Sequence, residues 1–225
     1  MTARVADRSS GRLPGDRRGP RRGDQRRSAL LRSLDGQLRD GSLDAVNVAD
    51  ISREAGVTRS AFYFYFESKA VAVAALMAEF YDEAFAAAEV LNGLTAGEAS
   101  AAERIEAAIR GLFDAFEKHR HVYQAMLDAR AESAAVRDMW DADRDVFVPV
   151  VADLVRAERA AGRAGPGPDE TMLATVLLDL VDRSVERLAR SGAADHAAQA
   201  EAVVTIWLRT IFGRVDGGSS EGAHA

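Results

Sequence analysis

The chain has 225 residues, of which 48 % are hydrophobic, no cysteine, and a formal net charge of −6. This composition allows a sizeable core and excludes disulfides and thiolate metal sites. No run approaches the roughly 20 apolar residues of a membrane span, and the N-terminus lacks the apolar stretch of a signal peptide. We therefore expect a cytoplasmic protein with no membrane partner.

The N-terminal segment carries most of the positive charge. Residues 1–27 contain nine arginines and three aspartates, a net charge of +6, which leaves −12 for the remainder. A basic arm on an acidic body is typical of a protein that binds phosphate groups at one end. A tail that serves only solubility explains the charge equally well. Because residues 1–23 have almost no large apolar side chains, we predict that they are disordered.

Helical periodicity begins at about Gln25. Four leucines recur at spacings of three and four, so they share one face of a first helix, which Asp40-Gly41 ends. These leucines are Leu30, Leu31, Leu34 and Leu38.

Two short helices follow, joined by a tight turn. Asn47 and Thr58 are the predicted N-caps, whose side-chain oxygens accept free backbone N–H groups. Gly56 lies between the helices, where a turn needs a positive φ. This is the layout of a helix-turn-helix, whose second helix enters the DNA major groove.

The second short helix contains five consecutive aromatic residues. At about 100° per residue, Phe62 and Phe66 point inward, whereas Ser60, Ala61 and Phe64 point outward. A two-turn helix cannot bury all five rings, and exposed aromatic side chains need a partner. DNA offers phosphates and thymine methyl groups to them. The alternative is a buried aromatic cluster inside an unrelated helical bundle.

The rest of the chain is predicted to be helical. Ser68 caps a long helix that ends near Leu91, and further helices are expected over 98–119, 121–129, 133–161, 169–190 and 196–213. Pro149 should kink the helix over 133–161, because proline removes an amide donor and clashes with the preceding turn. The predicted fold class is therefore all-α.

Two domains are expected within this fold. A three-helix helix-turn-helix domain spans 24–70, and a larger helical bundle spans 71–213. A disordered tail follows over 214–225.

Nothing in the sequence indicates catalysis. The chain has no H-E-x-x-H, Gly-rich phosphate loop or Gly-x-Ser-x-Gly. His119 and His121 are two residues apart, so on a helix they diverge and cannot chelate together. We expect no metal, no cofactor and no enzyme activity. A helical enzyme and a bare protein-interaction bundle are the competing function classes.

The segment TRSAFYFYFESK, from Thr58 to Lys69, resembles the signature of the TetR family of bacterial regulators. The resemblance implies a DNA-binding regulator, with Lys69 on phosphate. Ala61 departs from the threonine that many members have, which replaces a hydrogen bond by a methyl contact. The residues implied to face DNA are Asn47, Thr58, Arg59, Ser60, Ala61, Tyr63, Phe64, Tyr65 and Lys69.

A closer resemblance, over nearly the whole chain, is to EthR-type members of that family. It implies a repressor that binds a pseudopalindromic operator as a dimer and is released by a small, largely apolar effector. The residues that carry it include FYFYFESKAVAVAAL, the stretch 113–116, Trp140, the stretch 156–159 and Trp207. The implied ligand pocket consists of Ile105, Leu112, Phe116, Met126, Trp140, Phe147, Val151, Leu154, Leu178, Val181 and Trp207.

The resemblance also implies that the helices over 169–190 and 196–213 pair with the same helices of a second subunit. Both helices are apolar on more than one face, which requires two partner surfaces, although full burial within a monomer is the alternative.

Several positions depart from the EthR type. Leu178 and Val181 replace asparagines, so a hydrogen-bond anchor is missing. Arg104, Arg144 and Glu186 stand where EthR-type proteins have apolar residues. We therefore predict an effector different from the EthR ligand.

Overall fold

The structure is a computed structural model that describes residues 22–77, 91, 99–191 and 196–213. Every regular element in these ranges is an α-helix, which confirms the all-α fold class. The helices are α1 Arg22–Asp40, α2 Val48–Glu54, α3 Arg59–Tyr65, α4 (described over 69–77), α5 Ala101–Lys118, α6 Arg120–Glu132, α7 Ala134–Asp145, α8 Phe147–Ala160, α9 Glu170–Ser191 and α10 His196–Phe212.

Three predictions lie mainly outside the described residues. They are the disorder of the N-terminal arm, the disorder of the tail over 214–225, and the course of the helix from Ser68 between 78 and 90.

The N-terminal domain is built on the leucine face of α1. Its four predicted leucines are buried, and they pack with Ile51 of α2 and Phe62 of α3 in one apolar cluster. The helix ends at Asp40 as predicted, but it begins by Arg22 rather than at Gln25. A carboxylate ties α1 to α2, because Glu54 accepts hydrogen bonds from Ser33 Oγ (2.6 Å) and Gln37 Nε2 (3.2 Å). These bonds hold the pKa of Glu54 below its ordinary value.

The larger bundle contains α5 to α10. Helix α5 begins at a capping box, in which Ser100 Oγ accepts from the Glu103 backbone N–H and Glu103 accepts from that of Ser100. Helix α10 packs along α5, and α9 packs along α8. No helix in the described ranges combines the length and apolar character that a bilayer crossing requires.

Pro149 divides the helix predicted over 133–161. Helix α7 ends at Asp145 and α8 begins at Phe147, so the break lies three to four residues before the proline. Proline lacks the N–H that would bond the carbonyl of Asp145, and its ring crowds that carbonyl. The predicted disruption is confirmed, and it separates two helices rather than bending one.

The two domains meet where α1 contacts α6. Asp35 Oδ1 of α1 lies 2.6 Å from Nε2 of His121, on α6. Arg39, one turn further along α1, donates to the other carboxylate oxygen of Asp35 at 2.9 Å. Burial raises the pKa of Asp35, but the hydrogen bonds and charges of His121 and Arg39 outweigh it, so the pKa lies below its ordinary value. Sequence reasoning considered His121 only as a metal ligand and missed this contact.

Candidate functional site

The turn between α2 and α3 has the geometry that the sequence predicts. Asn47 Oδ1 accepts from the Ala49 N–H at 2.8 Å, and Thr58 Oγ1 accepts from the Ala61 N–H at 3.3 Å, so both caps are confirmed. Gly56 has φ +67°, the left-handed conformation that glycine adopts without a steric penalty. The Val57 N–H closes the turn by donating to the Ser52 carbonyl at 2.9 Å. These local bonds fix the direction in which α3 leaves the domain.

Helix α3 has one buried face and one exposed aromatic face. Phe62 is fully buried and Phe66, its C-cap, is 2 % exposed, with their ring centroids 5.5 Å apart. Tyr63 is 47 % exposed and Phe64 is 82 % exposed. The inward positions of Phe62 and Phe66 and the outward position of Phe64 are therefore confirmed, as is that of Ser60, whereas Ala61 is only partly exposed. An aromatic surface directed into solvent is unfavourable unless a partner covers it.

Polar groups border this aromatic surface. The guanidinium carbon of Arg59 lies 5.8 Å from the Tyr63 ring centroid, and the hydroxyls of Thr58 and Ser60 are 2.9 Å apart. Arg59, Thr58 and Ser60 are all exposed, and α3 contains no acidic residue. We call the exposed side chains of residues 58–60, 63 and 64 the α3 surface. It combines hydroxyl donors, a cation and two aromatic rings, which are groups suited to phosphates and base edges.

Three of the predicted DNA-facing residues are less available than the α3 surface. Ala61 and Tyr65 are only partly exposed. The Tyr65 side chain turns back to the start of α1, where a Cβ added at Gly23 would lie 3.7 Å from its hydroxyl. Asn47 remains exposed, but its side-chain oxygen is occupied as the α2 cap.

Lys69 has a structural role that the sequence did not predict. Its ammonium nitrogen donates to the carbonyls of Leu43 (2.8 Å) and Val46 (3.0 Å), in the loop between α1 and α2. These carbonyls have no helical partner to accept from, so a part-buried ammonium stabilises them well. Lys69 thus attaches the start of α4 to that loop, and its contact with phosphate stays a prediction.

The eleven predicted pocket residues come together in one apolar cluster. Eight of them are buried, and Leu112, Phe147 and Leu178 are partly buried against the same core. The rings of Phe116 and Trp140 are linked through Tyr123, with centroid separations of 5.3 Å on both sides. Sequence reasoning missed Tyr123, although its position one turn before the predicted Met126 places it on the same side of α6.

Three buried polar atoms in the bundle have no hydrogen-bond partner among the described residues. The indole nitrogen of Trp207 is one, and Trp207 itself is 2 % exposed. The others are Nε of Arg104, whose side chain is partly buried on α5, and Nε of Arg130 on α6. Buried donors are costly when unpaired, so each favours an acceptor that binds there. The described residues offer no cluster of three or more His, Asp or Glu side chains placed to share a metal ion.

Comparison with known protein families gives two matches, one for each domain. Residues 36–76 match the family described as "Bacterial regulatory proteins, tetR family". Residues 105–213 match "Transcriptional regulator EthR, C-terminal domain". The HTH-type transcriptional regulator EthR of Mycobacterium tuberculosis is 31 % identical over 219 residues, covering 95 % of this chain and 99 % of its own length.

Solved structures share the fold. A putative TetR-family transcriptional regulator from Rhodococcus sp. aligns with a TM-score of 0.62 at 20 % identity, covering 84 % of this chain and 99 % of its own. The transcriptional regulator FadR from Bacillus subtilis, solved in complex with stearoyl-CoA, aligns with a TM-score of 0.63 at 15 % identity, covering 83 % and 98 %. These matched proteins are transcriptional regulators rather than enzymes.

Proposed function

This chain belongs to the TetR family of bacterial regulatory proteins, and from that premise we propose that it is a repressor that binds its operator as a dimer and is released by a small, largely apolar effector. The proposal places the protein in the cytoplasm, with the DNA that it regulates. Its two halves rest on different observations, one in α3 and one in the helical bundle.

The observation that carries the DNA-binding half is the α3 surface. Phe64 is 82 % exposed on a helix whose opposite side is fully buried, and Arg59, Thr58 and Ser60 adjoin it. In the major groove, the hydroxyls and Arg59 would contact phosphates, while the ring of Phe64 would contact thymine methyl groups or sugars. The caps and the Gly56 turn hold this surface in one orientation before DNA arrives.

A dimer would place two such surfaces on one face of the DNA. Exposed apolar side chains on the last two helices support this arrangement. Met172 is 62 % exposed and Val176 57 % exposed on α9, and Ile206 is 43 % exposed on α10. Two-fold symmetry would then set the recognition helices about 34–36 Å apart on a pseudopalindrome.

The effector half rests on the bundle core and on how α4 is attached. An apolar ligand among the predicted pocket residues would lie near the buried indole N–H of Trp207, which could donate to one ligand acceptor. Leu178 and Val181 supply no polar group, which supports an effector different from that of EthR-type relatives.

Release from DNA would proceed through α4. Ala72, Val73 and Leu76 of α4 are buried, and Lys69 fastens the same helix to the loop before α2. A ligand that displaces α4 would therefore shift α3 and change the distance between half-sites. The effector must have a higher affinity for the released state than for the DNA-bound state.

Footprinting on the DNA upstream of the protein's own gene tests the DNA-binding half. We expect protection of a pseudopalindrome, with affinity that falls steeply as salt rises. Failure to retain any fragment of that region at low salt would contradict the proposal.

A thermal-shift screen of apolar compounds then tests the effector half. A true effector should raise the melting temperature and also displace the protein from the footprinted operator. If the ligand of an EthR-type relative binds with similar affinity and occupies the same pocket in a co-crystal structure, the prediction of a different effector is wrong.

A further inference from the structure

A polar cleft lies between α6, α7 and α9, at the edge of the apolar core, where Tyr123 and Trp140 line it. Its volume is about 540 Å³, which is within the range of roughly 300–1,000 Å³ that small-molecule sites occupy. Four arginines line it, namely Arg130, Arg137, Arg183 and Arg190, against three carboxylates, all of them on α9. The lining therefore has one more arginine than carboxylates, and a fourth carboxylate, Asp141, pairs with Arg130 from just outside it. Neither the motifs nor the proposed effector site accounts for this cleft.

Among the four arginines, Arg130 has the fewest N–H groups in hydrogen bonds to the described residues. Its guanidinium carbon lies over the Trp140 ring, 5.0 Å from the centroid. Its Nε is buried and has no hydrogen-bond partner among the described residues. Asp141 Oδ1 lies 3.6 Å from Nη2, an ion-pair contact that is too long for a hydrogen bond. Because an aromatic face holds a guanidinium without using its N–H groups, Arg130 is oriented and still able to donate.

The other three arginines differ in their hydrogen-bond partners. Arg137 donates one N–H to the backbone carbonyl of Arg130 at 3.2 Å, which involves no opposite charge. Across the cleft, Arg183 and Arg190 both bind Glu186, at 2.8 Å and 3.2 Å. One carboxylate therefore serves two guanidinium groups on that wall.

We propose that this cleft binds a small anion through a carboxylate or phosphate group held by Arg130 and Arg137. Oxygen atoms of such groups accept paired N–H bonds from guanidinium, which is the strongest contact open to these side chains. The cleft adjoins the predicted effector pocket at Trp140 but would bind an anion rather than an apolar molecule, and binding there does not depend on the proposed function.

The position of the cleft also suggests an effect on DNA binding, and this part does rest on the proposed function. Arg130 is near the C-terminal end of α6, and His121 near its start binds Asp35 of α1. An anion that shifts α6 would therefore act on the helix-turn-helix domain through the contact between Asp35 and His121. Calorimetry measures anion binding at the cleft. A separate measurement of operator affinity shows whether that binding affects DNA binding.

Isothermal titration calorimetry of the full chain tests the site with three probes. Sodium benzoate and inorganic phosphate carry the two candidate oxyanions, and benzamide is the neutral counterpart of benzoate. We expect saturable binding of benzoate, phosphate or both, and none of benzamide. No saturable binding of either anion, or equal binding of benzamide and benzoate, would overturn the proposal.

Substitutions assign the binding to the cleft. Arg130→Gln should weaken anion binding about ten- to hundredfold, as expected for loss of a charged hydrogen-bond donor. Arg156→Gln is the matched control, because Arg156 is an exposed arginine of α8 that pairs with Asp153 away from the cleft. Equal weakening by both substitutions would indicate unspecific ionic attraction and overturn the proposal. If Arg130→Gln does not fold, exposed Arg137→Gln takes its place, with at least tenfold weakening expected.

Discussion

Two nearby aromatic residues of α3 have opposite roles. Phe62 is fully buried and belongs to the core of the domain, whereas Phe64, two positions later, is 82 % exposed. Burial of an aromatic ring is favourable by a few kcal/mol, so selection for stability alone would not leave Phe64 in solvent. The exposed ring is instead available for burial against a partner. Substitutions at the two positions can therefore separate the role in stability from the role in DNA binding.

Phe64→Ala should leave stability nearly unchanged and weaken operator binding. Because the ring contributes little to the folded core, we expect a change within about 0.5 kcal/mol in the free energy of unfolding. Loss of its contact with DNA should cost about 1–2 kcal/mol, or roughly five- to thirtyfold in affinity. Fluorescence anisotropy on the footprinted operator and urea denaturation measure the two effects. Phe62→Ala should instead unfold the domain, and unchanged affinity in Phe64→Ala would remove Phe64 from the interface.

Lys69→Met should affect stability rather than the salt dependence of DNA binding. The substitution keeps the apolar stem but removes the ammonium donor from the Val46 carbonyl and leaves the Leu43 carbonyl with only the Val46 N–H, at 3.2 Å. We expect a loss of about 1–3 kcal/mol in the free energy of unfolding. The slope of log affinity against log salt should stay the same, because no phosphate contact is lost. A slope reduced by about one unit would restore the phosphate role that the sequence implied.

The sequence predicted the orientation of α3 but not the partner of Lys69. Inward and outward positions on a helix follow from spacing alone, so Phe62 and Phe64 could be distinguished without a structure. The carbonyls that bind Lys69 lie 26 and 23 residues earlier in the chain. Spacing in the sequence gives no information on such a contact, and a resemblance gives only a family's usual role.

At the level of helices, local chemistry determined what could be predicted. The caps at Asn47 and Thr58 and the disruption at Pro149 depend on residues within one turn, and all three are confirmed. The predicted positions of helix ends were less accurate. Helix α6 extends to Glu132 instead of ending at 129, because its last turn depends on packing that sequence periodicity does not contain.

Two glycine substitutions should change stability in opposite directions. Gly56 adopts φ +67°, where a side chain is strained, so Gly56→Ala should destabilise the domain by about 1–2 kcal/mol. Gly36 lies inside α1, and an added Cβ would meet no atom within 4 Å. Gly36→Ala should therefore stabilise it by about 0.5–1 kcal/mol. Urea denaturation of both variants measures the difference, and equal effects would show that the turn geometry does not govern stability.

At the scale of the whole molecule, a polar contact between Asp35 and His121 joins the two domains. Asp35 and His121 are 86 residues apart in sequence, so no local pattern indicated that they bind each other. Their contact crosses the boundary between the DNA-binding domain and the bundle. It also introduces a dependence on pH, because the contact lowers the pKa of Asp35.

Acid should weaken this contact. The pKa of Asp35 in the folded protein lies below its ordinary value, so its contribution to stability is complete above the unfolded pKa and is lost as pH falls through the folded pKa. The native protein should therefore lose more stability between about pH 5 and pH 3 than Asp35→Asn does. Asp40→Asn, at an exposed position on the same helix, is the control and should follow the native protein. Identical pH profiles for Asp35→Asn and the native protein would rule out the contact as a source of acid sensitivity.

The predicted subunit interface depends on the apolar side chains that α9 and α10 leave exposed. Val176→Glu places a charge in the middle of that surface, and burial of an unpaired carboxylate against a second subunit is strongly unfavourable. We expect this variant to fold with nearly native stability, because Val176 is 57 % exposed in the single chain. Sedimentation should show it as a monomer.

The same variant should lose operator affinity, since one recognition helix cannot contact both half-sites. Met139→Glu is the matched control, because Met139 is an exposed apolar residue of α7, outside the predicted interface. It should remain dimeric and bind DNA normally. A dimeric Val176→Glu protein would show that the subunits pair through another surface, and a monomer that keeps full operator affinity would show that pairing is not needed for DNA binding.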